Sequence, residues 1–299
     1  MSNPLPAKIS SELIERPFCK NCGAPLASAY CPDCSQRADV HVPSTRELLH
    51  EALEGVTHSD SRLWTTMKYL LFVPGKLTQE FIAGRRVAYL PPFRLYLVMS
   101  VMFFLIANVW QRDVDINVLE DAQPKNAAAN QPPRTPQQRC SDMHSDIFDA
   151  QLKRACEQIL RDDGESFTHA VIATAPKAMF IFLPLIAFFH MPLYWWPRHR
   201  YAVHLLFFTH VHAFAFLAMS LLWMLTRTGN ALPALKPACS VLAVALGIYI
   251  PVYVVLALRR VFKRNRWNTF FKAASLFLIY LTLLSFTMAG VVLYAALQL

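Results

Sequence analysis

Charge leaves the chain in blocks, and the blocks have the length of membrane spans. Residues 93–110 carry no charge after Arg94, close to the ~20 apolar residues a helix needs to cross hydrocarbon. Four more apolar blocks follow at about residues 176–196, 203–225, 238–258 and 270–297. Between the first and second blocks the chain turns polar over residues 111–175. Within it, residues 123–138 are rich in Pro, Ala, Asn and Gln and read as a flexible linker. Residues 142–160 regain a helical period through Ile147, Phe148, Leu152, Ala155 and Ile159, which predicts a short extracytoplasmic helix.

Before the first span the pattern is amphipathic. Residues 1–18 are polar with scattered prolines and read as a disordered tail. Within residues 44–92, Ser44-Thr45-Arg46-Glu47 is a capping box that opens a helix with Leu48, Leu49, Ala52, Leu53 and Val56 on one side. Residues 61–72 repeat Leu63, Trp64, Met67, Leu70 and Leu71 at helical spacing, with Thr65 and Lys68 opposite. Val73-Pro74-Gly75 ends that stretch, and a short third helix carries Phe81 and Ile82 up to Gly84-Arg85-Arg86. Two placements stay open for these helices: the membrane surface, or packing against the ends of the spans. The pattern as a whole predicts an all-α polytopic membrane protein of about five transmembrane helices with a small N-terminal zinc ribbon.

Composition agrees, with 55% hydrophobic and 16% charged residues, less charge than a soluble domain carries. Residues 1–18 lack the continuous apolar core of a secretory signal, so the first span is expected to direct insertion. The net charge of +9 matters through its placement. Residues 166–299 contain eleven Lys or Arg and no Asp or Glu. Six of those bases, Arg259, Arg260, Lys263, Arg264, Arg266 and Lys272, crowd the last connection between spans. Lys and Arg stay on the cytosolic side, which predicts five spans with the N-terminus cytosolic and the C-terminus periplasmic. The expected location is the inner membrane of a Gram-negative bacterium.

Four of seven cysteines form two CxxC pairs, Cys19/Cys22 and Cys31/Cys34. Each pair is a turn that aims two thiolates at one point, and two turns supply the tetrahedral sulfur set zinc prefers. Gly23 provides the positive φ that such a knuckle needs. Structural Zn2+ is the leading reading; a rubredoxin-type iron centre and a redox dithiol are the alternatives. A closed fourfold site leaves no open position for metal catalysis. Free thiolates also suit a reducing compartment, hence the cytosol. Cys140 and Cys156 lie in the polar segment after the first span and could pair in an oxidising periplasm. A straight helix would hold them ~24 Å apart, so the bridge requires Cys140 to fold back.

These residues resemble a known family. The run from Cys19 to Arg37, with Cys19, Cys22, Cys31, Cys34 and Gln36, carries one part of the likeness. The stretch after Trp64 carries the rest, through Thr66, Leu71, Pro74-Gly75, Gly84, Arg85, Arg86, Tyr89, Pro91 or Pro92, and Ser100. Together they are similar to a bacterial family catalogued only as a domain of unknown function, number 3667. Its members look like zinc-ribbon membrane proteins with this order of parts. They often have Gly before the Gln, where this chain has Ser35. The resemblance covers about the first 105 residues, implies the architecture and the zinc, and implies no activity.

Chemistry in the membrane half is limited by its missing carboxylates, on which proton relays and cation sites in bilayers usually rest. Histidine is the side chain left there that titrates near neutral pH. His190 falls in the second span, and His204, His210 and His212 in the third. Counted from the cytosolic ends, His190 and His210 reach comparable depth and are expected to face each other if their helices pack. Three readings stay open for the four: neutral imidazoles bonded to Ser, Thr or backbone carbonyls, the lining of a polar substrate site, or ligands of a haem, metal or quinone. Pro184 and Pro192 in the second span, and Gly247 with Pro251 in the fourth, are expected to interrupt those helices, as transport sites often do.

The six-base cluster sets topology, and it could also contact anionic lipids or a partner. Arg16, Lys20, Tyr30 and Arg37 are sparse support for nucleic-acid binding, which is not favoured. No Ser-His-Asp order, phosphate-cradling glycine loop or dinucleotide fingerprint is present. The leading expectation is a non-enzymatic protein whose ribbon serves as a structural or partner-docking module for an unidentified protein. A small-solute or lipid transporter and a membrane oxidoreductase using the histidines are the alternatives.

Overall fold

The long apolar blocks fold as helices, and each helix begins before its apolar block. In the computed structural model, which describes residues 18–38, 62–110, 149–161, 165–194, 199–263 and 266–298, the elements are α1 (Arg62–Phe72), α2 (Lys76–Ile82), α3 (Pro92–Trp110), α4 (Asp149–Arg161), α5 (Glu165–His190), α6 (Tyr201–Ala231), α7 (Lys236–Phe262) and α8 (Arg266–Gln298). Short 3-10 turns at Met191–Tyr194 and Pro233–Leu235 follow α5 and α6. No strand occurs among the described residues; the ribbon segment has two isolated bridges, Phe18 to Pro25 and Tyr30 to Arg37. The tail, the capping-box helix, the linker, Cys140 and Arg264 fall outside the described residues.

Four helical stretches are long and apolar enough to cross a membrane: Ser166–Tyr194, Tyr201–Ala231, Pro233–Phe262 and Trp267–Gln298. Pro92–Ala107 is a shorter apolar helix. The protein is therefore an all-α polytopic membrane protein with a four-cysteine cluster near its N-terminus. Two of the expected interruptions, at Pro184 and at Gly247 with Pro251, are corrected. Pro184 lies inside α5 and Pro251 inside α7, and both helices continue through them. Proline is tolerated in membrane helices because neighbouring groups re-satisfy the freed carbonyl. Pro192 instead sits in the 3-10 turn after α5.

The chain divides into two units, Met1–Phe103 with Ile186–Phe277, and Phe104–Leu185 with Leu278–Leu299. In the first, α6 is the inner helix: 67% of its apolar window is buried, against 17% for that of Pro233–Phe262. α7 packs along α6 with Phe214 and Tyr253 stacked at 3.5 Å between ring centroids. Gly229 lets the pair close up where α6 meets Cys239 of α7. α2 lies on the start of α6 through Phe81, Ala202 and Leu206, with Ile82 and Phe93 beside them. α3 reaches α6 through Tyr96 and Phe103, whose rings lie 5.7 and 5.3 Å from that of Phe216. In the second unit, Phe182 of α5 meets Tyr280 of α8 edge-on at 5.1 Å. That unit also holds α4, whose Cys156 is disulfide-bonded.

Candidate metal centre

The two CxxC turns fold into matching knuckles. The Cys19 amide bonds the Ala24 carbonyl and the Gly23 amide bonds the Cys19 carbonyl, at 2.8 and 2.9 Å. The second repeats this with Cys31 to Gln36 and Ser35 to Cys31, at 2.8 and 2.9 Å. Gly23 and Ser35 occupy the same place, with φ of 82° and 58°. Ser35 thus adopts a left-handed conformation that favours glycine, at a cost of roughly 1–2 kcal/mol.

The knuckles bring all four sulfurs within 4.8 Å of one another. Cys19 and Cys34 are 3.6 Å apart, and Cys22 and Cys31 3.5 Å. Sulfurs at ~2.3 Å around a tetrahedral zinc would lie about 3.8 Å apart, so the set fits such an ion. The thiols alone do not ionise together. Burial raises the Cys19 thiol, but the amides of Cys22 and Asn21 and the neighbouring thiols outweigh it and bring it down to about 7. At Cys22 the Ala24 amide lowers the thiol, while burial and then Cys31, Cys34 and Cys19 push it up to about 12. One thiolate is welcome and the next is repelled; a central cation removes that repulsion.

A single side chain ties the second knuckle to the helices. Buried Gln36 donates from Nε2 to the Gly84 carbonyl at 2.9 Å, and its Oε1 accepts the Arg86 amide at 3.2 Å. Gly84, with φ of 88°, ends α2, and the Arg85 amide closes that cap on the Glu80 carbonyl. The Arg86 guanidinium lies 4.7 Å from the centroid of the Phe81 ring. Gln36 therefore bonds the C-terminal cap of α2.

α1 and α2 form an elbow at Val73–Gly75 that docks on α7. Gly75 has φ of 73°, and a Cβ there would come within 3.0 Å of the Ala257 backbone. The Leu71 carbonyl accepts the Tyr249 hydroxyl at 2.6 Å, and the Pro74 carbonyl accepts Arg260 Nη1 at 2.6 Å. Gln79 donates to the Arg260 carbonyl at 2.8 Å. Thr66 accepts the Leu90 amide at 3.0 Å, which holds α1 against the approach to α3. Glu80 is buried between Lys76, at 2.6 Å, and Arg85, which grips it with two nitrogens. Arg85 holds the Glu80 carboxyl below the usual carboxylate range, against the effect of burial, with Lys76 assisting.

α1 packs against the protein along one side only. Thr66 and Leu70 are buried, while Trp64 and Phe72 are 80% and 73% exposed. The apolar stripe read from the sequence is split, half turned to the protein and half away from it, and Lys68, expected opposite Trp64, instead shares its exposed face.

His190, His204, His210 and His212 are all buried but do not pair as expected. His190 meets His204, with Nδ1 atoms 2.8 Å apart, rather than His210. The end of α5 lies beside the start of α6, so nearness along the chain decides the pairing. Tyr194, Phe207, Phe208 and Phe262 surround His190. The Nε2 atoms of both rings lack a hydrogen-bond partner among the described residues. His210 is bonded instead to Thr78 of α2 at 3.0 Å, and His212 donates to the Phe208 carbonyl at 2.8 Å.

Two bases of the cluster are engaged within the protein. Arg260 caps the elbow, and Lys272 lies 4.2 Å from the centroid of the Tyr194 ring. Lys263 is an exposed left-handed cap on α7, and Arg259 is half-buried. The sequence reading missed Thr78, Glu80 and Tyr249; the partners of Thr78 and Tyr249 lie far away along the chain. The Pro74-Gly75 pair was the one local signal that a tight backbone approach occurs there.

No curated protein and no solved structure matches the chain. Residues 60–104, which hold α1, the elbow, α2 and most of α3 and begin after the ribbon, match the model of a family described as "Protein of unknown function (DUF3667)".

Proposed function

We propose that the chain is a non-enzymatic inner-membrane protein whose cytosolic zinc ribbon docks a protein partner and passes that engagement to the membrane helices. The observation that carries this reading is the pair of bonds from Gln36 to the cap of α2. A ribbon on a slack tether would need no such attachment. The elbow it reaches is itself bonded to α6 and α7. Two exposed aromatics, Phe18 and Tyr30, stand one residue before each knuckle and offer the ribbon a contact surface. Cytosolic orientation draws support from the free thiols of Cys19, Cys22, Cys31 and Cys34 in the same chain as disulfide-bonded Cys156. Those two states belong to opposite redox environments.

The test is crosslinking in intact cells from a photoreactive aromatic at Phe18 or Tyr30. A discrete protein adduct is expected, lost when Cys19→Ser and Cys22→Ser unfold the ribbon, and retained in Gln36→Ala. No adduct, or one indifferent to the cysteines, overturns the docking role. A membrane oxidoreductase is the second reading, favoured by the unpartnered Nε2 atoms of His190 and His204. A Soret band in the purified protein would decide for it.

A further inference from the structure

The elbow uses protein groups where a surface element would use water. Its carbonyls at Leu71 and Pro74 are capped by Tyr249 and Arg260 of α7, and Thr78 is bonded to His210 of α6. Irregular backbone needs such partners when it lies at hydrocarbon depth, where no water can bond it.

Depth can be read along α7. Between Lys236 and Arg259 the helix has 22 uncharged residues, ~33 Å at 1.5 Å per residue, which matches a hydrocarbon core of ~30 Å. Gly75 abuts Ala257, about 3 Å inside the level of Arg259. Tyr249 lies about 15 Å inside that level. A tyrosine side chain is too short to span that gap, so the Leu71 carbonyl it bonds is well inside as well.

The outer face of α1 has the matching polarity. Trp64, Lys68 and Phe72 recur every four residues, so they share one face, and all three are exposed. Trp suits the headgroup level. Lys68 has an aliphatic stem that can lie along apolar surface while its ammonium rises to the interface. Phe72 is at the deep end, next to Leu71. Along α1, then, the order from interface to acyl chain is tryptophan, lysine, phenylalanine.

We propose that α1 and α2 form a re-entrant element seated in one leaflet of the bilayer, with the Trp64–Lys68–Phe72 face in contact with lipid and Phe72 among acyl chains. This goes beyond the docking role and does not depend on it. Lipid covers the outer face, α6 and α7 cover the inner one, and the Leu71 carbonyl lies deeper than the turn that follows it. A change at the ribbon would therefore reach lipid through Gln36 and the cap of α2.

The experiment places benzoyl-phenylalanine at one position at a time in the full chain in native membranes, with irradiation and mass spectrometry of the adducts. Positions 64 and 72 are exposed, so the probe does not disturb packing. Ile248, an exposed apolar residue of α7, is the lipid-facing reference, and Phe18 on the ribbon the aqueous one. Phospholipid adducts at 72 within twofold of those at 248, fewer at 64, and fewer than one-tenth as many at 18 are expected. Adducts at 72 to another segment of the chain, to a second copy or to a different protein overturn the proposal. So does a lipid yield at 72 no higher than at 18.

Discussion

The ribbon and the elbow are neighbours held together by opposite means. Among residues 18–38 only Cys19, Cys31 and Gln36 are buried, so the ribbon has almost no apolar core of its own. The elbow buries Leu70, Leu77 and Phe81 together with Thr66, Thr78 and Glu80, and spreads its contacts over α6 and α7. One depends on a single centre and the other on many small terms. A chain that couples them gains a part that can be folded or unfolded without dismantling its base.

The largest effect should come from Cys19→Ser. Structural zinc contributes roughly 10–16 kcal/mol to the folding of such peptides at neutral pH, so the variant should lose one zinc per chain in elemental analysis. Membrane insertion and helix content should be unchanged. Wild-type protein that purifies without a transition metal would break the comparison at its first term.

Gly75→Ala should strike the elbow and spare the ribbon. Positive φ and a 3.0 Å approach to Ala257 together cost about 2–4 kcal/mol. Thermal unfolding in detergent should fall, with faster hydrogen exchange around residues 71–79 and zinc content unaltered.

Acid should also separate the two parts. Because Arg85 lowers the Glu80 carboxyl, the ionised form stabilises the folded elbow above an ordinary carboxylate pKa of ~4.3. That contribution is lost as pH falls through the lowered folded value. Glu80→Gln should cost roughly 1–3 kcal/mol at neutral pH and flatten the acid limb of a stability profile taken from about pH 5 down to pH 3.

The smallest effect lies inside the ribbon. Ser35→Gly should relieve about 1 kcal/mol of left-handed strain and slow metal loss to a chelator, while Gly23→Ala should hasten it. Equal rates for both variants would mean that the knuckles do not set metal retention.

The architecture was legible where one residue type carries it. The CxxC pairs anticipated the sulfur cluster, and apolar blocks marked the long helices. Boundaries were less legible. α5 starts at Glu165, eleven residues before the predicted span, because a helix continues past the hydrocarbon while hydropathy does not. The His190–His204 contact escaped a depth count because the connection after α5, not distance from a flank, sets which side chains meet. The roles of Thr78 and Glu80 were illegible: on a seven-residue helix, polar residues look solvated until α6, Lys76 and Arg85 are in place.

Arg260 has a consequence for any experiment on orientation. Its positive charge belongs to the set expected to hold the last connection in the cytosol, yet its guanidinium also clasps the turn at Pro74. Neutralising it would disturb insertion and architecture at once, and a flipped reporter would carry both effects. Arg260→Lys parts the two duties: the insertion machinery still meets a cation, while the turn loses the forked donor that reached it.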